Sequence, residues 1–369
     1  MKIVDVSVTL FEWDTVPAIA YHGIQRAADV PHDLGLVSVV TDEGVEGHAF
    51  LGRGQLPGNA DAGGIIRFLK PALLGQDPLD RERLYKALWT RRKVTTIRTI
   101  GAVDVALWDI AGKVANLPIH KLLGSYRSRI PAYASSDHLP DPKAYADDAV
   151  SYQQRNWGGY KIHPPGRWRE DIAICEAVRA AVGDDYPLML DSVWAYSFED
   201  AMKVGRALED LGYLWYEDPL GENDIYNYVK LRQKLDIPIM ATERPEYGFD
   251  AYAPWIMAQA TDYLRGDVAI KGGITPMVKT AHLAEAFGLR YEVHAGGNSL
   301  NNLANLHVEM AIPNTQFHEI LMPEAAANYA VLNEIAIEED GCIAAPTGPG
   351  LGAEIDFELI RAKTVQVLT

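Results

Sequence analysis

The chain has 369 residues, 48% hydrophobic and 23% charged, with 34 Lys plus Arg against 50 Asp plus Glu for a net charge of −16. At roughly 150 residues per domain this length predicts two domains, or one with a large appendage. The acid excess argues against nucleic acid or an anionic membrane as partner, and two cysteines, Cys175 and Cys342, exclude a disulfide framework or a cysteine metal cluster. A small anionic ligand stays open, because one metal ion or lysine can reverse the sign of a single cleft. Met1–Asp5 lacks a long apolar leader, and no apolar run approaches the ~20 residues that a membrane span needs. A soluble, reducing, cytoplasmic setting is expected.

In chain order, Lys2–Phe11 alternates as a strand, and Leu36–Thr41 with Val45–Phe50 reads as a hairpin turned by Asp42-Glu43-Gly44. The stretch between them, Trp13–Asp33, has no period; it carries Tyr21 and His22, and a long loop of this kind in a compact domain is often functional. From Thr99 to Ala115, Val103, Ala106, Leu107, Ile110 and Val114 recur at helical spacing, and Asn116-Leu117-Pro118 ends the helix. These elements predict a mixed first domain of about 125 residues.

Beyond it the texture changes to short apolar runs at Ile130–Ser135, Tyr160–His163, Leu188–Val193, Leu214–Pro219, Ile239–Arg244, Tyr263–Val268, Arg290–Ala295 and Phe317–Met322. Amphipathic stretches such as Arg169–Val182, Phe198–Leu211, Tyr226–Leu235 and Met277–Phe287 separate them. One β/α unit per ~24 residues is the rhythm of an eight-stranded parallel barrel. An open doubly wound sheet needs a Gly-rich turn after its first strand, and Ser135-Ser136-Asp137-His138 has no glycine. The fold class expected is therefore α/β, a (β/α)8-type barrel over about 126–334, with a loop-rich segment 335–369 folding back on the first domain.

A barrel of this kind carries its active site at the C-terminal ends of its strands. The predicted strands end in Lys161-Ile162-His163, Asp191, Glu217, Glu243, Asp267, His294 and Glu319; from Asp191 onward the steps are 26, 26, 24, 27 and 25 residues, one β/α unit each. Asp191, Glu217 and Glu243 would repel one another in a low-dielectric mouth unless a cation joined them, and oxygen-only ligands favour Mg²⁺. Singly, each acid reads as a helix cap or the partner of an arginine such as Arg244. Asp267 beside His294 suits a carboxylate that orients a general acid or base, although a lone histidine is more often structural. Glu319 is a candidate hydrogen-bond donor to a developing oxyanion, provided that it stays protonated; a salt bridge is its plainer reading. Lys161 and His163, two apart on one strand, share a face: a cation for a substrate carboxylate and a candidate base, with a pocket-lining role as the alternative for His163. Lys271 is expected in a solvated loop.

At these residues the sequence resembles the enolase superfamily, in particular its mandelate racemase-like subgroup. Ala102-Val103-Asp104-Val105-Ala106-Leu107-Trp108-Asp109-Ile110-Ala111-Gly112-Lys113 with Leu122-Leu123-Gly124, Tyr216-Glu217-Asp218-Pro219 and Lys271-Gly272-Gly273-Ile274-Thr275 carry the likeness along nearly the whole chain. The resemblance implies an N-terminal α+β capping domain completed by the C-terminal segment, and a modified (β/α)7β barrel. It implies one Mg²⁺ on Asp191, Glu217 and Glu243, His294 oriented by Asp267 as an acid/base, and Glu319 at the enolate oxygen. Lys161 matches the first lysine of the subgroup's Lys-x-Lys; His163 stands in place of the second, which departs from a symmetrical racemase, and Val193 replaces a frequent Asn. Proton abstraction α to a carboxylate, followed by loss of a β-hydroxyl from a sugar acid, is the expected reaction. Racemisation, epimerisation or cycloisomerisation would use the same ring, with His163 and Lys161 both open as the base. Specificity is expected from Tyr21, His22, the strand around His48, Trp194 and Tyr196, and a homo-oligomer is implied. Two rivals are a phosphate-binding barrel using His294-Ala295-Gly296-Gly297-Asn298-Ser299 and a non-catalytic binding protein of the same fold.

Overall fold

A computed structural model describes residues 1–16, 20–21, 24–25, 32–243, 248–324 and 328–369. Three long strands, β1 (Ile3–Glu12), β2 (Asp33–Thr41) and β3 (Glu46–Leu51), form an antiparallel meander. The β2–β3 turn closes with Thr41 N donating to Val45 O, and Gly44 takes φ +79°, a conformation that glycine adopts without penalty. On this sheet lies α1 (Ile97–Ala115), whose first turn is capped by Thr96 accepting from Thr99 N and whose end is marked by Asn116 in the left-handed region. Fourteen α1 residues are buried, charged Asp104 and Asp109 among them. Val114, part of the expected apolar stripe, is exposed.

The second half is the eight-stranded parallel barrel: β4 (Arg129–Ser135), β5 (Gly159–Ile162), β6 (Leu188–Asp191), β7 (Trp215–Glu217), β8 (Ile239–Met240), β9 (Tyr263–Gly266), β10 (Arg290–Val293) and β11 (His318–Leu321). They pair in sequence order, and β11 closes back on β4 in parallel register, His318 opposite Ala132. Between β10 and β11 the seam is bridged by single bonds: Tyr291 N donates to Asn314 O, and the Glu292 carboxylate accepts from Thr315 Oγ1 and Gln316 N. Each strand is shorter than its apolar run because pairing stops where the chain turns out to form the mouth. Arg244, the expected end of the β8 run, lies outside the described residues.

Pleating sorts the interior side chains into layers. Tyr133, Met189, Trp215, Met240 and Tyr263 form an apolar plug. Lys161, Glu217, Arg265 and Glu319 lie above it, and His163, Asp191, Asp267 and His294 above those. One continuous core runs from the β1–β3 sheet through α1 to Leu264, Val268, Ile274 and Met277 of the barrel, so the two halves share their interior. The C-terminal strand Thr364–Leu368 pairs antiparallel with β1, Val8 opposite Leu368. The tail does more than fold onto the first domain, however: Cys342–Ala344 pairs antiparallel with β4 of the barrel.

Candidate active site

A narrow cleft opens at the C-terminal ends of the strands. His163, Asp191, Asp218, Glu243 and His294 line it from the barrel, and Arg53 and Gln55 reach it from the first domain. His163 Nδ1 donates to Ser136 O at 2.7 Å, which leaves Nε2, 3.0 Å from Asp191 Oδ2, as the nitrogen facing Asp191. Asp191 Oδ1 accepts from Val193 N at 2.9 Å. Burial opposes ionisation of Asp191, but Lys161 and His163 outweigh it and bring the carboxyl to about 2.

On the seventh strand His294 stands between two acids, Nδ1 2.5 Å from Asp267 Oδ2 and Nε2 2.8 Å from Glu243 Oε2. Asp267 is itself fixed, Oδ1 accepting from Ala269 N and Ile270 N. Burial works against an imidazolium here, yet Glu243 and Asp267 prevail and raise His294 to about 9. In this arrangement the ring holds a proton at neutral pH.

Beneath the cleft lies a closed four-charge layer. Lys161, wholly buried, places Nζ 2.7 Å from Glu319 Oε1, 3.0 Å from Glu217 Oε2 and 3.4 Å from Asp191 Oδ2. Arg265, also fully buried, pairs with Glu217 and reaches Glu319 Oε2 at 2.5 Å. Burial and Arg265 push Lys161 down, but Glu217 and Glu319 dominate and hold it well above the ordinary lysine range. For Glu319 burial is likewise overcome, by Arg265, Lys161 and His294, which hold it well below the carboxylate range. This corrects the expectation of a protonated Glu319 donor: as placed it is an anion accepting from Lys161, Arg265 and Ala295 N.

The expected metal trio is not gathered as one set. Asp191 and Glu243 stand at the cleft wall, while Glu217 is fully buried one layer down, turned to Lys161 and Arg265. Among the described residues no three acid or histidine side chains already close around one point. The donors nevertheless suit a hard divalent ion. Asp191, Asp218 and Glu243 offer only oxygen, and Asp218 Oδ1 is buried without a hydrogen-bond partner. Burial, then Asp191, Glu243 and Glu217, pushes Asp218 well above the carboxylate range. Acids crowded like this call for a cation. Asp218 sits at φ +42°, and Val193 and Trp194 at +48° and +60°, so the strand ends beside the wall are locally strained.

Other expected contributors lie elsewhere. Trp194 lines the cleft. His48 does not: on β3 it is buried against Phe357, with Nδ1 3.2 Å from Ser38 Oγ and its backbone N–H donating to Asp109. Burial, aided by Lys113, lowers it to about 4. Tyr196 is buried away from the cleft, its hydroxyl donating to Asp171 Oδ2. Lys271, expected in solvent, is buried with its ammonium 4.7 Å from the Tyr252 ring centre. Tyr21 belongs to a short ribbon, Ala20–Tyr21 with Ile24–Gln25, whose side chains lie outside the description, and His22 lies outside the described residues. The backbone after β10 offers little to phosphate: Ala295 N donates to Glu319, Gly296 N to Asn302 Oδ1 and Asn301 N to Asn298 Oδ1.

Arg265, Asp218, Arg53 and Gln55 escaped the sequence reading. Arg265 was detectable, because it lies two residues before Asp267 on one strand and so shares its inward face.

Residues 144–359 match the Enolase C-terminal domain-like family, and residues 7–124 match the Mandelate racemase / muconate lactonizing enzyme N-terminal domain. The chain is 29% identical over 95% of its length to the arabinonate dehydratase of Saccharolobus solfataricus, covering 96% of that protein. It is 27% identical to the D-galactarolactone cycloisomerase of Agrobacterium fabrum, covering 94% of this chain and 97% of that one. A solved structure of D-glucarate dehydratase from Agrobacterium tumefaciens, complexed with magnesium, superposes with a TM-score of 0.90 at 35% identity, over 99% of this chain and 100% of that one. The barrel and the sheet domain that closes against it are both accounted for by these matches: the chain belongs to the enolase superfamily, within its mandelate racemase/muconate lactonizing enzyme branch.

Proposed function

We propose that the protein is a Mg²⁺-dependent sugar-acid dehydratase, acting on a small carboxylate substrate by removal of its α-proton and elimination of the β-hydroxyl as water. The observation that carries this reading is the pair of histidines entering one cleft from the second and seventh strands, His163 against Asp191 and His294 between Asp267 and Glu243. Asp191 and Glu243 from the wall, with Glu217 from beneath, would hold one Mg²⁺. The ion, when bound, acidifies the α-proton and offsets the charge of the enolised carboxylate.

The rest falls to the chain's own side chains. Of the two candidate bases, Lys161 is sealed below the cleft and firmly protonated by Glu217 and Glu319. His163 lines the cleft and, in its neutral form with the single ring proton on Nδ1 toward Ser136 O, is the base: its Nε2 takes the α-proton. His294 then passes the proton on Nε2 to the β-oxygen as the Cβ–O bond breaks, releasing water and an enol that tautomerises to the 2-keto acid. Asp267 keeps the ring aimed and stabilises its cationic form. Lys161, Arg265 and the anionic Glu319 form a rigid charged floor that fixes Glu217. The cycloisomerase relative supports a second reading, in which the same two histidines expel a ring oxygen instead of a hydroxyl.

Incubation with sugar acids in D₂O and Mg²⁺ separates the steps. Wild type should form 2-keto acids, and EDTA should abolish both turnover and α-proton exchange. His294→Asn should lose at least about 10²-fold in turnover while still exchanging the α-proton, whereas His163→Asn should lose exchange as well. Exchange undiminished in His163→Asn rejects its role as base. Metal-independent keto-acid formation rejects the reading altogether.

A further inference from the structure

Arg53 and Gln55 stand on the turn that follows β3, across the cleft from the barrel acids. The turn is held firmly. Arg53 and Leu56 exchange backbone hydrogen bonds of 2.8 and 2.9 Å, His32 Nε2 lies 2.8 Å from Arg53 O, and Asn298 Nδ2 donates to Gly52 O at 2.7 Å. Within it, Arg53 Nε donates to Gln55 Oε1 at 2.9 Å. That bond occupies the carbonyl oxygen of the Gln55 amide, while its NH₂ group and both terminal NH₂ groups of Arg53, in residues that line the cleft, make no hydrogen bond among the described residues. The pair thus presents donors, one of them charged, and among the described residues no ion pair involves Arg53.

From this we infer that Arg53, with Gln55, receives a second carboxylate at the end of the substrate remote from the reacting carbon, so that the substrates are sugar diacids (aldaric acids) rather than aldonic acids. The inference rests on the proposed sugar-acid chemistry and names its substrate class. One carboxylate belongs at the cation end of the cleft. A second negative charge would otherwise face Asp191, Asp218 and Glu243 in a protein of net charge −16, and only a cation on the opposite wall makes a dianion welcome. A planar guanidinium grips a carboxylate through two parallel bonds. The terminal CH₂OH of an aldonic acid would leave that guanidinium without a counter-charge in the filled cleft, which is costly.

The test compares each six-carbon aldaric acid with the aldonic acid of matched configuration, reading calorimetric binding with Mg²⁺ present separately from kcat/KM. Charge-assisted bidentate bonds predict roughly 10–100-fold tighter binding of the best diacid than of its monoacid partner. Arg53→Met should collapse that ratio to within about 3-fold, and Arg53→Lys should retain part of it, since the charge stays but the fork is lost. Wild-type protein that binds monoacids equally well, that binds no diacid, or whose Arg53→Met variant weakens both ligands alike overturns the inference. Discrimination in binding without any dehydration keeps the diacid site and removes the lyase reading. Dehydration of aldonic acids without discrimination does the reverse.

Discussion

Arg265 is the residue on which the buried charges of the barrel depend. It has no contact with solvent, and it touches Glu217, Glu319, the Tyr133 hydroxyl and Val293 O. Two cations, Lys161 and Arg265, balance two anions, Glu217 and Glu319, above an apolar plug, and the set is neutral only while complete. Removing one member leaves an uncompensated buried charge, typically a loss of about 3–5 kcal/mol. Arg265→Met should therefore destabilise the fold by that amount in urea unfolding, and Arg265→Met combined with Glu319→Gln should recover part of it. A single variant as stable as wild type would show that the layer is not an electrostatic unit. Nothing in Tyr263-Leu264-Arg265-Gly266-Asp267 separates this arginine from a surface one except its period-two partnership with Asp267. The strand-end acids and histidines were legible because each closes an apolar run at a repeating interval. Whether they reach the cleft or sit under it was not legible, since that depends on where pleating stops and on which cations lie one layer below.

At the scale of elements, β3 and α1 show how a strand fit for a specificity role becomes structural. Gly47, next to His48, faces α1 so closely that a Cβ there would strike the carbonyl of Ala106 and the Ile110 side chain. Backbone on both sides of the contact leaves little room to yield. Gly47→Ala should cost about 1–3 kcal/mol as overpacking, read as a lower thermal midpoint, with the Mg²⁺ affinity of the folded fraction unchanged; a midpoint equal to wild type would mean that the helix can retreat. The hairpin, α1 and the eight strands were legible from alternation, helical period and turn residues, all local signals. The position of His48 was not, because it follows from the seating of α1 on the sheet and from Phe357, more than 300 residues later in the chain. A separation of more than 200 residues likewise hid the pairing of Cys342–Ala344 with β4.

Over the whole molecule, the joint between barrel and first domain passes through a histidine with a fixed tautomer. His307, in the helix Ser299–Ala311, accepts from His120 N at Nδ1 (3.1 Å) and donates from Nε2 to Leu351 O (3.0 Å), tying barrel, first domain and C-terminal segment at one point. A second proton would set two N–H groups against each other. Burial, with a smaller push from His120, lowers the ring to about 3. In the unfolded chain the same histidine titrates near its ordinary value of about 6.5. Below that value the unfolded chain binds a proton that the folded one refuses, so the contribution of His307 to stability is whole above pH 6.5 and is lost progressively as the pH falls toward 3. Between pH 7 and pH 4 the loss from this one ring should be on the order of 3 kcal/mol. Glutamine places an acceptor and a donor on a planar group without taking up a proton, so His307→Gln should unfold in urea at a midpoint that declines less steeply with acid than the wild-type midpoint. Parallel declines over that range would mean that His307 is protonated in the folded protein and that the joint is not a neutral hinge of three segments.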